Sequence, residues 1–88
     1  MQISSRFTIA VHMLAYISMY GEKEKVTSEI LSGSIQVNPV IIRRLLSRMK
    51  TAGLITVARG SGGALLAKKE GEITFLDICR AVDRSEER

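Results

Sequence analysis

The stretch NPVIIRRLLSRMK, residues 38–50, sets two adjacent arginines inside a run of aliphatic residues. Asn38 is a favoured helix N-cap, and Pro39 fits the first helical position, where its missing N–H costs nothing. The stretch therefore predicts a helix from Pro39 to about Ala52 that ends at Gly53.

At about 100° per residue, the side chains of this helix divide between two faces. The predicted core face consists of Ile42, Leu45, Leu46 and Met49, with Ala52 at its border. The opposite face consists of Val40, Arg43, Arg44, Ser47 and Thr51. Ile41 and Arg48 flank that face, and Ile41 has a place against the preceding helix. The two adjacent arginines are therefore predicted to project away from the core.

Two further helices are predicted upstream of this stretch. TSEILSGS, residues 27–34, begins with the capping residue Thr27 and is expected to weaken at Gly33. Residues 4–20 carry two apolar stripes at helical spacing, and Gly21 follows them. One stripe is Phe7, Ala10, Val11, Leu14 and Ile17, and the other is Ile9, Met13, Tyr16 and Tyr20. Two stripes leave open whether a partner segment covers the second or this domain buries both.

A hairpin and a last helix are predicted downstream. LITVAR, residues 54–59, and ALLAKK, residues 64–69, are β-prone and are joined by the flexible GSGG. Thr74, with Asp77 three residues later, predicts a capped helix over 75–82. The whole order predicts a mainly α fold with a small β-hairpin, a winged helix-turn-helix, as one domain over residues 1–88.

Composition narrows the function classes. Lys and Arg outnumber Asp and Glu by 13 to 9 in 88 residues, so the net charge is +4, which suits an anionic partner without proving one. The single cysteine, Cys79, excludes an internal disulfide within these residues. No signal-peptide pattern is present, and the apolar part of the first helix is shorter than the ~20 residues that span a membrane. We expect a cytoplasmic protein with no membrane association, metal or cofactor.

The exposed face of residues 38–50 has the chemistry of a major-groove reader. Arginine pairs with guanine through two hydrogen bonds, an apolar tip contacts a thymine methyl, and serine and lysine suit phosphates. Arginine at the tip of a thin hairpin suits the minor groove. The candidate DNA-contacting residues are Asn38, Val40, Arg43, Arg44, Ser47, Arg48, Lys50, Arg59, Ser61 and Lys68. An adjacent arginine pair alone is more often a solvated helix face, and the basic hairpin is what favours DNA.

Two other functions stay open at this point. One is a winged-helix protein-interaction module that binds no DNA. The other is an enzyme, for which no motif places a nucleophile beside a base. RGSGG, residues 59–63, is glycine-rich but lacks the lysine and hydroxyl residue that end a P-loop.

The motifs of residues 37–82 closely resemble the Rrf2 family of bacterial transcriptional regulators. The matching residues are Ala52-Gly53-Leu54, Arg59-Gly60, Gly62-Gly63, Ile73-Thr74, Asp77-Ile78 and Arg80-Ala81-Val82. The resemblance implies a winged-helix DNA binder, expected to be a repressor, that acts as a homodimer on a pseudo-palindromic operator. It also implies that Val40, Arg43, Arg44 and Arg59 contact DNA.

Three departures from the family pattern shape the expectations. Many members carry three cysteines beyond the last helix that hold an iron–sulfur cluster, whereas Cys79 lies at a position usually aliphatic, so a cluster-free member is expected. Family members continue into a long dimerisation helix, while this sequence stops at Arg88. We therefore expect a truncated or naturally short form, and we expect the homodimer to belong to the full-length form. Ala64 and Leu65 replace the family's third glycine and tyrosine.

Overall fold

The computed structural model describes residues 5–58 and 63–83. Its helices are α1 (Ser5–Tyr20), α2 (Ser28–Ile35), α3 (Pro39–Thr51) and α4 (Phe75–Asp83). Strands β1 (Ile55–Val57) and β2 (Ala64–Leu66) form an antiparallel pair between α3 and α4, and a 3-10 turn, Glu70–Glu72, precedes α4. Within the described residues, this order confirms the predicted winged helix-turn-helix.

Side-chain caps begin α2 and α4 where the sequence predicts them. The Ile30 N–H donates to Thr27 Oγ1 at 3.3 Å and so starts α2. At α4, the Asp77 N–H donates to Thr74 Oγ1 at 3.1 Å, and the Thr74 N–H donates to an Asp77 carboxylate oxygen at 3.0 Å. This reciprocal pair is a capping box, which satisfies two N–H groups that the helix leaves without partners.

The turn between α2 and α3 is set by Gln36, which adopts the left-handed conformation with φ 64°. Its N–H donates to the Ser32 carbonyl at 2.8 Å, and the Ser32 hydroxyl donates to the Val37 carbonyl at 2.6 Å. The helix runs through Gly33 to Ile35, so Gly33 does not end it. A single exposed glycine costs a helix about 1 kcal/mol, which the two closing hydrogen bonds offset.

Gly53 ends α3 as predicted, with φ 83°. Its N–H donates to the Lys50 carbonyl at 3.0 Å, and the Leu54 N–H donates to the Met49 carbonyl at 2.9 Å. These two bonds form a Schellman motif, in which a left-handed glycine reverses the chain and satisfies the last carbonyls. Leu54 then enters the core and starts the hairpin at a fixed angle to α3.

The hairpin is shorter than the sequence predicts. Ile55 pairs with Leu66 and Val57 with Ala64, so the strands cover only part of residues 54–59 and 64–69. The Ala67 N–H still reaches the Leu54 carbonyl at 2.9 Å, but beyond it the chain leaves the strand. Lys68 and Lys69, expected on the return strand, follow it instead.

The hairpin is tied to the loop that precedes α2. The Ala64 N–H donates to the Val26 carbonyl at 2.9 Å, and Val26 is fully buried. A Cβ added to Gly63 would lie 3.3 Å from Lys25 Cα, a tight contact that would push the two backbones apart by a few tenths of an ångström, so glycine favours this close approach. The wing is therefore braced at its base by the domain itself.

The core draws on every helix and both strands. In α1 it contains residues of both apolar stripes, namely Ala10, Met13, Leu14 and Ile17. Ile9, Tyr16 and Tyr20 of the second stripe are half-buried against the same core. This domain itself therefore buries most of the second stripe. None of the described helices combines the length and the apolar character needed to cross a membrane.

Candidate nucleic-acid interface

The buried face of α3 holds the helix against the domain. Ile42, Leu45 and Met49 are fully buried, as the helical wheel predicts, and Leu46 is half-buried. Ala52, placed at the border of this face, is exposed. Each large buried aliphatic side chain contributes about 1.5–3 kcal/mol, so one side of α3 cannot leave the core without a large loss of stability.

The opposite face of α3 is open to solvent. Val40 is 53% exposed, and Arg43, Arg44 and Ser47 are also exposed. The structure therefore brings these four predicted contact residues together on one surface, with their side chains directed away from the core. On such a face, arginine side chains can donate hydrogen bonds to guanine or to phosphate oxygens. An apolar side chain such as Val40 can contact the methyl group of thymine.

The N-terminal end of α3 is fixed by Asn38. Its Oδ1 accepts a hydrogen bond from the Val40 N–H at 2.8 Å, and Pro39 occupies the first turn. The Asn38 side-chain oxygen is thus engaged as a cap, although the residue is exposed. The cap orients the end of the helix that carries Val40, the end from which helix-turn-helix proteins reach base edges.

The C-terminal half of α3 carries two of the residues predicted to contact phosphate. Lys50 is exposed, whereas Arg48 is half-buried. Ile41, for which the sequence left a place against α2, is 40% exposed and borders a groove beside the start of α1. Arg44 and Arg48 line the same groove.

Two predicted wing contacts, Arg59 and Ser61, lie outside the described residues. The described part of the hairpin ends at Ala58 and resumes at Gly63, and the Ala58 N–H donates to the Gly63 carbonyl at 2.8 Å. This hydrogen bond closes the described part of the hairpin on either side of residues 59–62.

Lys68 lies at the other end of the hairpin, next to α4. Its Nζ is 3.9 Å from an Asp77 carboxylate oxygen, and both side chains are partly exposed. The pKa of Asp77 is lowered, first by the hydrogen bond from the Thr74 N–H, then by the Thr74 hydroxyl and the nearby Lys68 and Arg80. Lys68 thus faces the cap of α4, a pairing between distant residues for which the local sequence carries no signal.

A basic groove beside α3 is the other feature that sequence reasoning missed. Arg6, in the first turn of α1, lines it together with Arg44 and Arg48. Each residue looks ordinary in its own helix, and only the fold, which places the start of α1 across a groove from α3, groups them.

The domain packs four helices around one core, and its α3 is capped, buried on one face and basic on the other. With the braced hairpin, this arrangement defines the winged helix-turn-helix class of domain. The chain belongs to the Rrf2 family, whose model, described as "Iron-dependent Transcriptional regulator", matches residues 3–88.

Two relatives of Bacillus subtilis (strain 168) are similar over nearly the whole chain. The provisionally named HTH-type transcriptional regulator YwnA is 42% identical over 85 residues, which cover 97% of this chain and 62% of YwnA. The similarly named YwgB is 31% identical over 84 residues, covering 94% of this chain and 54% of YwgB. The chain thus spans roughly half to two thirds of the length of these relatives.

Solved structures share the fold. A crystal structure of a protein provisionally described as DNA-binding superposes with a TM-score of 0.82 at 42% identity, covering 90% of this chain and 66% of that one. The global cysteine regulator CymR of B. subtilis superposes with a TM-score of 0.84 at 20% identity, covering 94% of this chain and 65% of CymR. The latter likeness concerns the fold alone.

The family description implies iron, which proteins hold mainly with cysteine, histidine and carboxylate ligands. In the part of the chain that the structure describes, no three such side chains are grouped so that they could hold a metal ion. Cys79, the sole cysteine of the sequence, is half-buried on α4. The described residues therefore do not fit an iron site.

Proposed function

We propose that this chain is the DNA-binding domain of a transcriptional regulator that acts in the cytoplasm. In this proposal α3 lies in the major groove, and the hairpin tip reaches the neighbouring minor groove or backbone. We propose that the regulator is a repressor, because a protein bound to an operator obstructs RNA polymerase.

One observation carries the proposal: α3 is packed on one side by fully buried aliphatic residues and presents an uncovered basic face on the other. An α-helix fits the major groove, and rigid packing lets its side chains meet base edges in a fixed register. The wing base is hydrogen-bonded to the loop before α2, which anchors the hairpin to the same domain that carries α3. Family membership and the names of the relatives point to the same function.

The residues of α3 divide by role. Arg43 and Arg44 read guanines, and Val40 contacts a thymine methyl. Ser47, Arg48 and Lys50 contact phosphates, which fix the position of the domain without reading sequence. Asn38 holds the start of the helix in place through its cap.

The hairpin supplies the second part of the footprint. In this proposal Arg59 and Ser61 contact DNA from the tip of the hairpin, because the negative potential of the minor groove attracts the Arg59 guanidinium. Lys68, at the hairpin base beside Asp77, adds positive charge near the backbone.

The full-length form is proposed to be a homodimer, so that two α3 helices face two half-sites. The support is an apolar surface on the α1 and α4 side of the domain. Phe75 and Leu76 are 53% and 54% exposed, and Phe75 lies against Phe7, with ring centroids 4.8 Å apart. An apolar groove of about 180 Å³ lies between α1, β2 and α4. Exposed apolar surface of this kind marks contact sites.

Selection of bound duplexes from a random pool, followed by salt titration, tests the function. We expect an enriched half-site, and an affinity that falls steeply with salt because phosphate contacts release counterions. A pool that yields no enriched duplex, with no binding at low salt, would replace this proposal with a protein-interaction module.

A further inference from the structure

Gln36, in the turn between α2 and α3, holds a backbone conformation that its residue type rarely adopts. Its φ of 64° and ψ of 50° lie in the left-handed region, and in the part of the chain that the structure describes it is the one non-glycine residue with a positive φ. In that region the Cβ of an L-residue crowds the following carbonyl oxygen, which glycine avoids. The end of α3 has glycine in the same role, since Gly53 has φ 83°. Glutamine at the end of α2 therefore carries a backbone strain that glycine would relieve.

The Gln36 side chain does not offset this strain within the domain. The residue is exposed, and among the described residues its side-chain amide has no hydrogen-bond partner. The turn is held by Ser32, whose carbonyl accepts the Gln36 N–H at 2.8 Å and whose hydroxyl donates to the Val37 carbonyl at 2.6 Å. Neither bond requires a particular side chain at position 36. A contact outside the domain therefore explains why an amide stands there.

We propose that Gln36 binds a backbone phosphate of DNA at the edge of the major groove that α3 occupies, with its side-chain amide as the donor. The inference rests on the proposed function and adds to its footprint a residue of the turn, which the sequence analysis did not select.

The place of Gln36 in the fold selects phosphate rather than a base. In helix-turn-helix proteins the first helix crosses the DNA backbone, while the second enters the major groove with its N-terminal residues. Here those helices are α2 and α3, so the turn between them lies where the backbone borders the groove. Gln36 precedes the Asn38 cap and therefore stands outside the part of α3 that reaches base edges.

The chemistry of the amide suits this contact. Its two N–H groups can donate to phosphate oxygens, and a hydrogen bond to a charged acceptor is stronger than one between neutral groups. The residues that follow are fixed, because Val37 packs against the core and Asn38 accepts the Val40 N–H at 2.8 Å. A turn that is already ordered holds the amide in place, so less conformational entropy is lost on binding.

The test measures two properties of a Gln36→Gly variant of the full-length protein. Its urea midpoint should be unchanged or higher, because glycine relieves the left-handed strain. Its affinity for the selected duplex and for a scrambled duplex should fall by the same factor, about tenfold for one hydrogen bond to a charged group. The slope of log K against log[salt] should keep its wild-type value, since no charge is removed.

Ser34→Gly is the matched control, because Ser34 is exposed but lies inside α2. There glycine weakens a helix interior, so the urea midpoint should fall while the affinity for both duplexes stays at the wild-type value. The two variants should thus show opposite patterns of stability and binding.

Neutral methylphosphonates, placed one at a time along the selected duplex, locate the contact. One position should weaken the wild type and have no further effect on Gln36→Gly. Gln36→Glu keeps the shape of the side chain but replaces its donors with a negative charge. It should bind both duplexes more weakly than Gln36→Gly, most of all at low salt, where repulsion from phosphate is least screened.

Two results would overturn the phosphate contact and leave the proposed function standing: wild-type affinity in Gln36→Gly, or a loss confined to the selected duplex, which would indicate a base contact. A lower urea midpoint for Gln36→Gly would overturn it as well, because the side chain would then serve the fold. A wild-type protein that binds neither duplex would instead overturn the proposed function.

Discussion

At the residue scale, Arg43 and Arg44 are exposed because the helical period turns them away from Ile42 and Leu45. Their charges face solvent, so folding does not incur the free-energy cost of removing them from water. The domain can therefore carry a basic face without loss of stability. Predicting this required only the sequence, because the period of α3 and its caps are local properties of the chain.

Asp77 gives a residue-scale prediction about pH. Its pKa lies below the usual 3.8, chiefly because its carboxylate accepts the Thr74 N–H, so folding favours the charged form. The stabilisation is complete above the unfolded pKa and is lost as pH falls through the folded pKa. Urea unfolding from pH 7 down to about pH 2 should show a larger loss of unfolding free energy for the wild type than for Asp77→Asn.

The matched control for that experiment is Glu24→Gln, which changes an exposed carboxylate in the loop after α1. It is expected to follow the wild type through the acid range. If Asp77→Asn follows it as well, the capping box does not stabilise the charged carboxylate.

At the element scale, α3 depends on its cap. Asn38→Ala should lower the free energy of unfolding by about 1 kcal/mol, because the Val40 N–H loses the acceptor that now lies 2.8 Å away. Asn38→Ser, which can still cap, is the control and should lose much less. Chemical denaturation measures both variants, and an equal loss for the two would count against the cap.

Elements with local signals could be predicted from the sequence, and contacts between distant residues could not. Thr27, Thr74 with Asp77, and Gly53 mark helix ends by short-range hydrogen bonds, and the structure confirms them. The close approach of Gly63 to the loop before α2 depends on tertiary packing that no local pattern encodes. The hairpin length was overestimated for the same reason, because β-propensity does not say where pairing stops.

At the scale of the whole molecule, the same distinction applies to the candidate interface. The α3 residues share one helix, so the wheel could group them, whereas Arg6 lies near Arg44 and Arg48 only because the fold places the start of α1 across a groove from α3. The second α1 stripe shows the converse. Met13 looked available to a partner, yet this domain buries it fully.

The proposed dimer gives the whole-molecule prediction. Leu76→Glu places a charge on the exposed apolar surface of α4 and should shift the full-length protein from dimer towards monomer in sedimentation velocity. Ser34→Glu adds the same charge at an exposed position of α2 and should leave the dimer intact. A wild type that sediments as a monomer at every concentration, or a Leu76→Glu variant with the wild-type mass, would reject this surface as the interface.

The most direct measurement for the central claim is the affinity of an Arg43→Ala/Arg44→Ala variant for the selected duplex and a scrambled duplex. Lys23→Ala/Lys25→Ala removes the same charge from an exposed loop and serves as the control. The arginine variant should lose about 1–3 kcal/mol per bidentate pair on the selected duplex and most of its discrimination between the two. If it discriminates as well as the lysine control does, α3 does not read the bases.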